Sequence, residues 1–286
     1  MGGNVEMVPA RSGTFFGVLM TAGDIYTVAG DGKPRYSGDG GPALDAGMSP
    51  IGISVDAAGN LVIADTGNSR IRVVAATTGT FYGKQMTTGD IYTVAGDGTA
   101  GFSGDGGRAT QAELNSPESV VPDHAGNLVM ADTGNGRVRV VATVTGTFYG
   151  RALTKGDIYT VAGNGITGFA GDGGPATGAE FHLAVAVAVD GAGNIAVADT
   201  DCCFAPADIG NGRIRMVAAA TGEFYGVPMT AGDIYTVAGN GTQGYSGDGG
   251  AATGAELDQP FGVGVDAAGN LLVTDVNDGR VREITR

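Results

Sequence analysis

Short apolar runs separated by glycine-rich polar stretches extend along the whole chain. No segment carries the sustained i, i+3, i+4, i+7 apolar spacing of a helix. The runs recur in a fixed order. G-D-I-Y-T-V-A-G starts at Gly23, Gly89, Gly156 and Gly232, and G-D-G-G stretches follow with aspartates Asp39, Asp105, Asp172 and Asp248. Next come ISVDAAGNLVIADT, VVPDHAGNLVMADT, VAVDGAGNIAVADT and VGVDAAGNLLVTDV, then RIRVVAA, RVRVVAT, RIRMVAA and VREIT. The G-D-G-G aspartates lie 66, 67 and 76 residues apart, and the surplus in the third unit is Asp201–Ile209, D-C-C-F-A-P-A-D-I. Each unit reads as four strands, exemplified by Gly52–Val55, Leu61–Ala64, a strand from Arg70, and Ile91–Ala95. The D-x-x-G-N and D-T-G-N segments turn the chain between them. Many strands are apolar on both faces, the pattern of sheets that pack between neighbouring sheets.

Four-stranded antiparallel units in tandem bury their faces by radial arrangement into a propeller, which leaves only short edges. The expected fold is therefore all-β, a four-blade β-propeller of four tandem repeats of about 66 residues. One domain covers 1–286, with units near 31–96, 97–163 and 164–239, and a last unit, 240–286, completed by 1–30. Val5–Ala10 resembles a third strand and Ile25–Ala29 a fourth. The C-terminus supplies a first (Gly262–Val265), a second (Leu271–Thr274) and a third (Val281–Ile284). The two ends are expected to share one blade. The third strand is then encoded twice, which leaves three readings open: a displaced copy, a chain cut from a longer array, or two chains sharing edges.

Composition narrows the partners. The 54 glycines suit short strands and tight turns, and the net charge of −14 lacks the basic surface that releases counterions from nucleic acid. Nucleic acid is not an expected partner. No apolar run reaches the ~18 residues of a membrane helix, so membrane insertion is not expected either. MGGNVEMVPA has no signal-peptide pattern. The compartment stays open, with an extracellular or secreted setting favoured over a cytoplasmic one by the acidity.

The segment GFSGDGGRATQAELNSPESVVPDHAGNLVMADTGNGRVRVV, Gly101 to Val141, resembles bacterial NHL-repeat propellers, and the likeness extends over essentially the whole chain. The resemblance implies a fold more than a function. That family includes sensor domains, protein- and RNA-binding modules, and peptide-amidating lyases. The metal-binding histidines of such lyases have no counterpart here, where the two histidines, His124 and His182, fall in different units.

Residues that recur four times are read as structure. Asp65, Asp132, Asp199 and Asp275 are expected to hold a loop and pair with an arginine of the next strand, at Arg70, Arg137, Arg213 and Arg280. Asp39, Asp105, Asp172 and Asp248 serve turns, with Ca²⁺ binding as the sharper alternative, although no calcium-loop spacing is present. Residues that differ between units are the site candidates. Met48, Asn115, His182 and Asp258 open the four first strands, with Glu118 and Phe261 beside them. Cys202 and Cys203 sit in the inserted loop. Two functions follow. The leading one is a non-enzymatic propeller that binds a protein or small-molecule ligand on the face of the G-D-G-G loops and the 201–209 insertion, as a monomer or an edge-sharing homo-oligomer. The other is a lyase, hydrolase or cyclase at a central channel mouth, with His182 as acid–base group and Asp258 and Glu118 beside it.

Overall fold

A computed structural model describes residues 3–200 and 211–286. The chain is all-β in a four-blade β-propeller arrangement. The first blade runs Gly52–Val55, Leu61–Asp65, Arg70–Val74 and Ile91–Ala95 in that spatial order. The second is built from Pro117–Pro122, Leu128–Asp132, Arg137–Val141 and Ile158–Ala162. The third is built from Leu183–Val189, Ile195–Thr200, Arg213–Val217 and Asp233–Ala238, with Gly174–Pro175 added outside its fourth strand. The fourth has three strands, Pro260–Val265, Leu271–Asp275 and Arg280–Ile284. An N-terminal pair, Val5–Met7 and Tyr26–Ala29, forms a two-stranded sheet.

The blade expected from both chain ends is not formed. The two N-terminal strands pair with each other, and the three C-terminal strands make a sheet of their own. The doubled third strand is the reason. Val5–Met7 and Arg280–Ile284 are equivalent candidates for the same edge of Tyr26–Ala29, and the segment nearer in sequence closes the smaller loop.

The turns explain why the repeat folds as it does. In the first blade Asp56 Oδ1 accepts the amides of Ala58 and Asn60, both at 2.9 Å, and its Oδ2 accepts Asn60 Nδ2 at 2.8 Å. Asn60 Oδ1 then accepts the amide of Ala76 at 2.9 Å, tying the turn to the end of the third strand. The same set recurs at Asp123–Asn127, Asp190–Asn194 and Asp266–Asn270. One aspartate and one asparagine thereby satisfy the backbone donors of a tight bend.

The F-Y-G segments and Phe15–Phe16–Gly17 make short hairpins after four of the third strands: Gly13–Phe15 with Val18–Met20, and the equivalents at 79–86, 146–153 and 222–229. In the second hairpin the two turn residues, Tyr82 and Gly83, have φ of +51° and +73°, the signature of a type I′ turn. The Phe–Tyr pairs therefore serve as turns. Tyr82 donates its hydroxyl to Asp56 Oδ2 at 2.7 Å and so braces the D-A-A-G-N bend.

The chain clusters into two compact units, one of 1–128, 141–144 and 155–158, the other of 129–140, 145–154 and 159–286. The core of the first joins Val5, Met20 and Val28 to Met48, Leu61, Ile63, Val74 and Ile91. The core of the second gathers Ala196, Ile214, Met216, Val237, Leu257, Leu271 and Val273. Among the described residues no helix is long and apolar enough to cross a membrane.

Candidate binding edge and loop face

Three of the G-D-G-G loops are anchored by an arginine. Arg72 is fully buried. It reaches Asp39 Oδ1 and Asp65 Oδ2, each at 3.5 Å, and donates to the carbonyls of Gly47 (3.0 Å) and Ser37 (2.9 Å). Arg215 places Nη2 and Nε on Asp172 Oδ1 at 2.6 and 3.1 Å, and Arg282 does the same on Asp248 Oδ1 at 2.7 and 3.1 Å. The loop aromatic covers this ion pair: Tyr36 lies 3.7 Å from Arg70, Phe169 3.7 Å from Arg213, and Tyr245 3.7 Å from Arg280.

The arginine that pairs with the second-strand aspartate is thus the second of the R-x-R pair, not the first. Asp65, Asp132, Asp199 and Asp275 face Arg72, Arg139, Arg215 and Arg282. Arg70, Arg213 and Arg280 stand directly across the ladder from their aspartates but turn toward the aromatic ring and nearby carbonyls. Period-two alternation puts both arginines of R-x-R on one face, and the inner one reaches the buried carboxylate. Three of the four proposed calcium ligands, Asp39, Asp172 and Asp248, therefore carry a guanidinium. The fourth, Asp105, sits in the same loop position beside Ile158. Among the described residues no three His, Cys, Asp or Glu side chains gather as metal ligands.

The same loops also hold strands. Gly40 N donates to Ile91 O at 2.7 Å, Ile91 N to Gly41 O at 2.9 Å, and Ala43 N to Gly89 O at 2.9 Å. Gly106, Gly107 and Ala109 repeat this on Ile158 and Gly156, and Gly173 and Ala176 on Ile234 and Gly232. The loop that precedes a blade thus clips that blade's own fourth strand. Beneath the clip, Ala43, Ala109 and Ala176 are buried.

The last blade departs from this pattern. Its loop Gly247–Gly250 is formed, no fourth strand pairs with Arg280–Ile284 among the described residues, and Ala252 is only partly buried. A cavity of about 560 Å³ occupies the vacant position. Its floor includes Ala252, Ala255, Leu257 and Val273, and its walls are the loop and the free strand edge. Hydrogen bonds from Tyr245 and then Arg282 hold the Asp248 carboxyl below the usual carboxylate range.

The residues singled out by sequence divide between the two units. Met48, Asn115 and Glu118 fall in the first unit, and His182, Asp258 and Phe261 in the second. Met48 is buried in the core and is the counterpart of the buried Leu114, Phe181 and Leu257. Ser49 holds the position expected of Met48. Ser49, His182 and Asp258 each donate a backbone amide to their buried aspartate, at 2.7, 2.9 and 2.7 Å. The first strand of the first blade lacks the bulge found in the third and fourth, so counting back from Asp56 lands one residue early. Glu118 is half-buried, and burial pushes its carboxyl above the ordinary range. Its backbone carbonyl packs so close to Gly52 that a Cβ there would come within 2.4 Å. Asp258 Oδ1 accepts Asn277 Nδ2 at 2.9 Å. Phe261 is exposed. Cys202, Cys203 and the rest of 201–209 lie outside the described residues.

Sequence reasoning missed this cavity, because its walls, the Gly247–Gly250 loop and Arg280–Ile284, are brought together only by the fold.

Blades of this construction, with a recurring clip and an arginine-anchored loop, define a β-propeller. Within it, residues 48–74 match the NHL repeat. Human Teneurin-1 is 34% identical over 100 residues, 32% of this chain and 3% of that protein. A structural-genomics protein of unknown function from Bacteroides thetaiotaomicron superposes with a TM-score of 0.58 at 13% identity, covering 91% of this chain and 50% of that one. That likeness is one of fold. A gluconolactonase from Xanthomonas campestris gives a TM-score of 0.40 at 13% identity, covering 83% of this chain and 76% of that one. The chain thus spans about half of the Bacteroides protein and a small part of Teneurin-1.

Proposed function

We propose that this protein is a non-enzymatic binding propeller that captures an extended polypeptide segment along the free edge of its last blade, under the Gly247–Gly250 loop. One observation carries the reading. Three blades hold an extended G-D-I-Y-T-V-A-G strand between third strand and clip, and in the fourth the Gly247–Gly250 loop and Arg280–Ile284 line a cavity of about 560 Å³ at the same place. A free strand edge offers a row of backbone donors and acceptors, and strand addition is a recurrent mode of peptide recognition. The floor at Ala252 and the apolar Leu257 and Val273 would take the side chains of alternate residues.

A fluorescein-labelled GDIYTVAG peptide tests the reading by anisotropy, with a reordered octapeptide of the same composition as control. Specific binding is expected, weakened at least tenfold by Ala252→Trp, which fills the cavity from a partly buried position on its floor. Equal affinity for both peptides, or full affinity in a folded Ala252→Trp variant, would overturn it.

A further inference from the structure

We infer that a cavity of about 420 Å³, lined by Lys84, Arg108 and Lys155, binds a phosphate monoester carried on an apolar body. Its whole lining belongs to the first compact unit, and it shares no residue with the cavity of the last blade.

The lining concentrates cations in an acidic protein. The chain has a net charge of −14 and three lysines. Lys33 pairs with Asp31 at 3.8 Å, and the other two, Lys84 and Lys155, line this cavity together with Arg108. One carboxylate, Asp157, stands against the three cations. Among the described residues neither Lys84 nor Arg108 takes part in an ion pair.

Two of these cations depart from what the repeat carries. The residue after G-D-G-G is Pro42, Arg108, Pro175 and Ala251 in the four units, and the residue before G-D-I-Y-T-V-A-G is Ala22, Thr88, Lys155 and Ala231. Lys84 follows the hairpin glycine, where the others have Val18, Arg151 and Val227. The same place one repeat on is also a cavity, of about 390 Å³, and its lining includes Arg151, Pro175, Ala231 and Asp233. Its single cation is already engaged. Arg151 Nη1 donates to Thr160 O at 2.9 Å, and the guanidinium lies 5.3 Å from the Tyr159 ring. Position in the fold therefore makes the hollow, and Arg108 and Lys155 make it basic.

The backbone is also parted here. A Cβ on Gly89 would come within 2.6 Å of Phe16 O, and one on Gly232 within 3.3 Å of Gly150 Cα, so in those two places the hairpin tip touches the next G-D turn. At the equivalent pair, Gly83 and Gly156, nothing lies within 4 Å of either Cβ position.

A phosphate monoester brings a charge of about −1.5 to −2 at pH 7 and three acceptor oxygens. Arginine meets such a group with a planar fork and lysine as a point charge. Three cations against one carboxylate leave an excess that a dianion neutralises. Val94 and Val141 give the rest of the ligand an apolar surface.

Isothermal titration calorimetry with phenyl phosphate tests the site. Phenyl phosphate should bind, inorganic phosphate more weakly, and phenol not at all. Affinity should rise between about pH 5 and pH 7, because the second phosphate proton leaves near pH 6. Phenyl sulfate, a monoanion throughout, should bind more weakly and show no such rise. Arg108→Pro and Lys155→Ala install the residues of the next repeat. Arg108 already has a φ of −54°, against −55° at Pro42 and −51° at Pro175, so the backbone accepts proline. Each substitution should weaken phenyl phosphate about tenfold, and the double variant should lose it while remaining folded in urea titration. Absence of phenyl phosphate binding, or wild-type affinity in the folded double variant, would overturn the site. Phenol binding as tightly as phenyl phosphate would overturn recognition of an anion, and tighter binding of phenyl sulfate would overturn phosphate as its head group.

Discussion

Arg72, Arg139 and Arg215 are fully buried cations, each facing a buried carboxylate, and Arg72 and Arg215 also bond groups of the preceding loop. A buried charge stripped of its partner is among the most costly changes a fold can suffer. Arg139→Ala leaves Asp132 buried without the guanidinium that lies 3.2 Å away. It should lower unfolding free energy by about 3–5 kcal/mol, read from urea denaturation. Tyr225 gives a pH test. Burial, then the nearby Asp190 carboxylate, pushes its hydroxyl up to about 12, and the hydroxyl donates to Gly269 O at 2.9 Å. A tyrosine in an unfolded chain ionises near pH 10, so the folded state keeps a proton that the unfolded chain releases. The stability held by this group is complete below about pH 10 and is lost as pH rises toward about 12. Tyr225→Phe should flatten that alkaline decline in urea midpoints measured across the interval.

The second strands show at the scale of the element what the array does to closely similar sequences. Leu61–Asp65, Leu128–Asp132 and Ile195–Thr200 are buried along their whole length, while Leu271–Asp275 alternates buried and exposed. Val62 and Leu272 occupy the same place in their strands, yet Val62 is 0% exposed and Leu272 38%. The difference lies in what covers the sheet's second face. Leu272→Lys should change stability by less than about 0.5 kcal/mol, whereas Val62→Lys should unfold the chain or cost several kcal/mol, both read by thermal and urea unfolding. The turn chemistry of the elements was legible in the sequence. D-x-x-G-N, D-T-G-N and F-Y-G each close their bend with nearby side chains or with φ > 0, and local rules suffice for that. The arginine partner was not, because the choice between Arg70 and Arg72 depends on strand pleat and on Tyr36, a residue distant in sequence.

The repeats make every blade nearly equivalent, so across the whole molecule the informative features are the departures from equivalence. The G-D-G-G aspartates illustrate this. Read singly they suggested cation ligands, but three of them belong to arginine clamps that fix each loop over a strand. The clamp is built in the last blade as in the others, with Arg282 on Asp248, and so the loop stands ready beside the cavity. A preformed acceptor loses little conformational entropy on binding, which is the physical case for strand capture at this place.

The sequence by itself determined the blade: its period, its four strands, its turns, and the division between residues that recur and residues that do not. Those follow from local propensity and from apolar alternation, which act within one unit and so repeat with it. Tertiary structure alone decided which of two equivalent third strands holds Tyr26–Ala29, which arginine meets the buried aspartate, and that Ser49 rather than Met48 opens the first strand. Identical sequence cannot specify different partners. Those are set by which surfaces the rest of the chain brings against each copy, and that depends on long-range packing, not on the residues themselves.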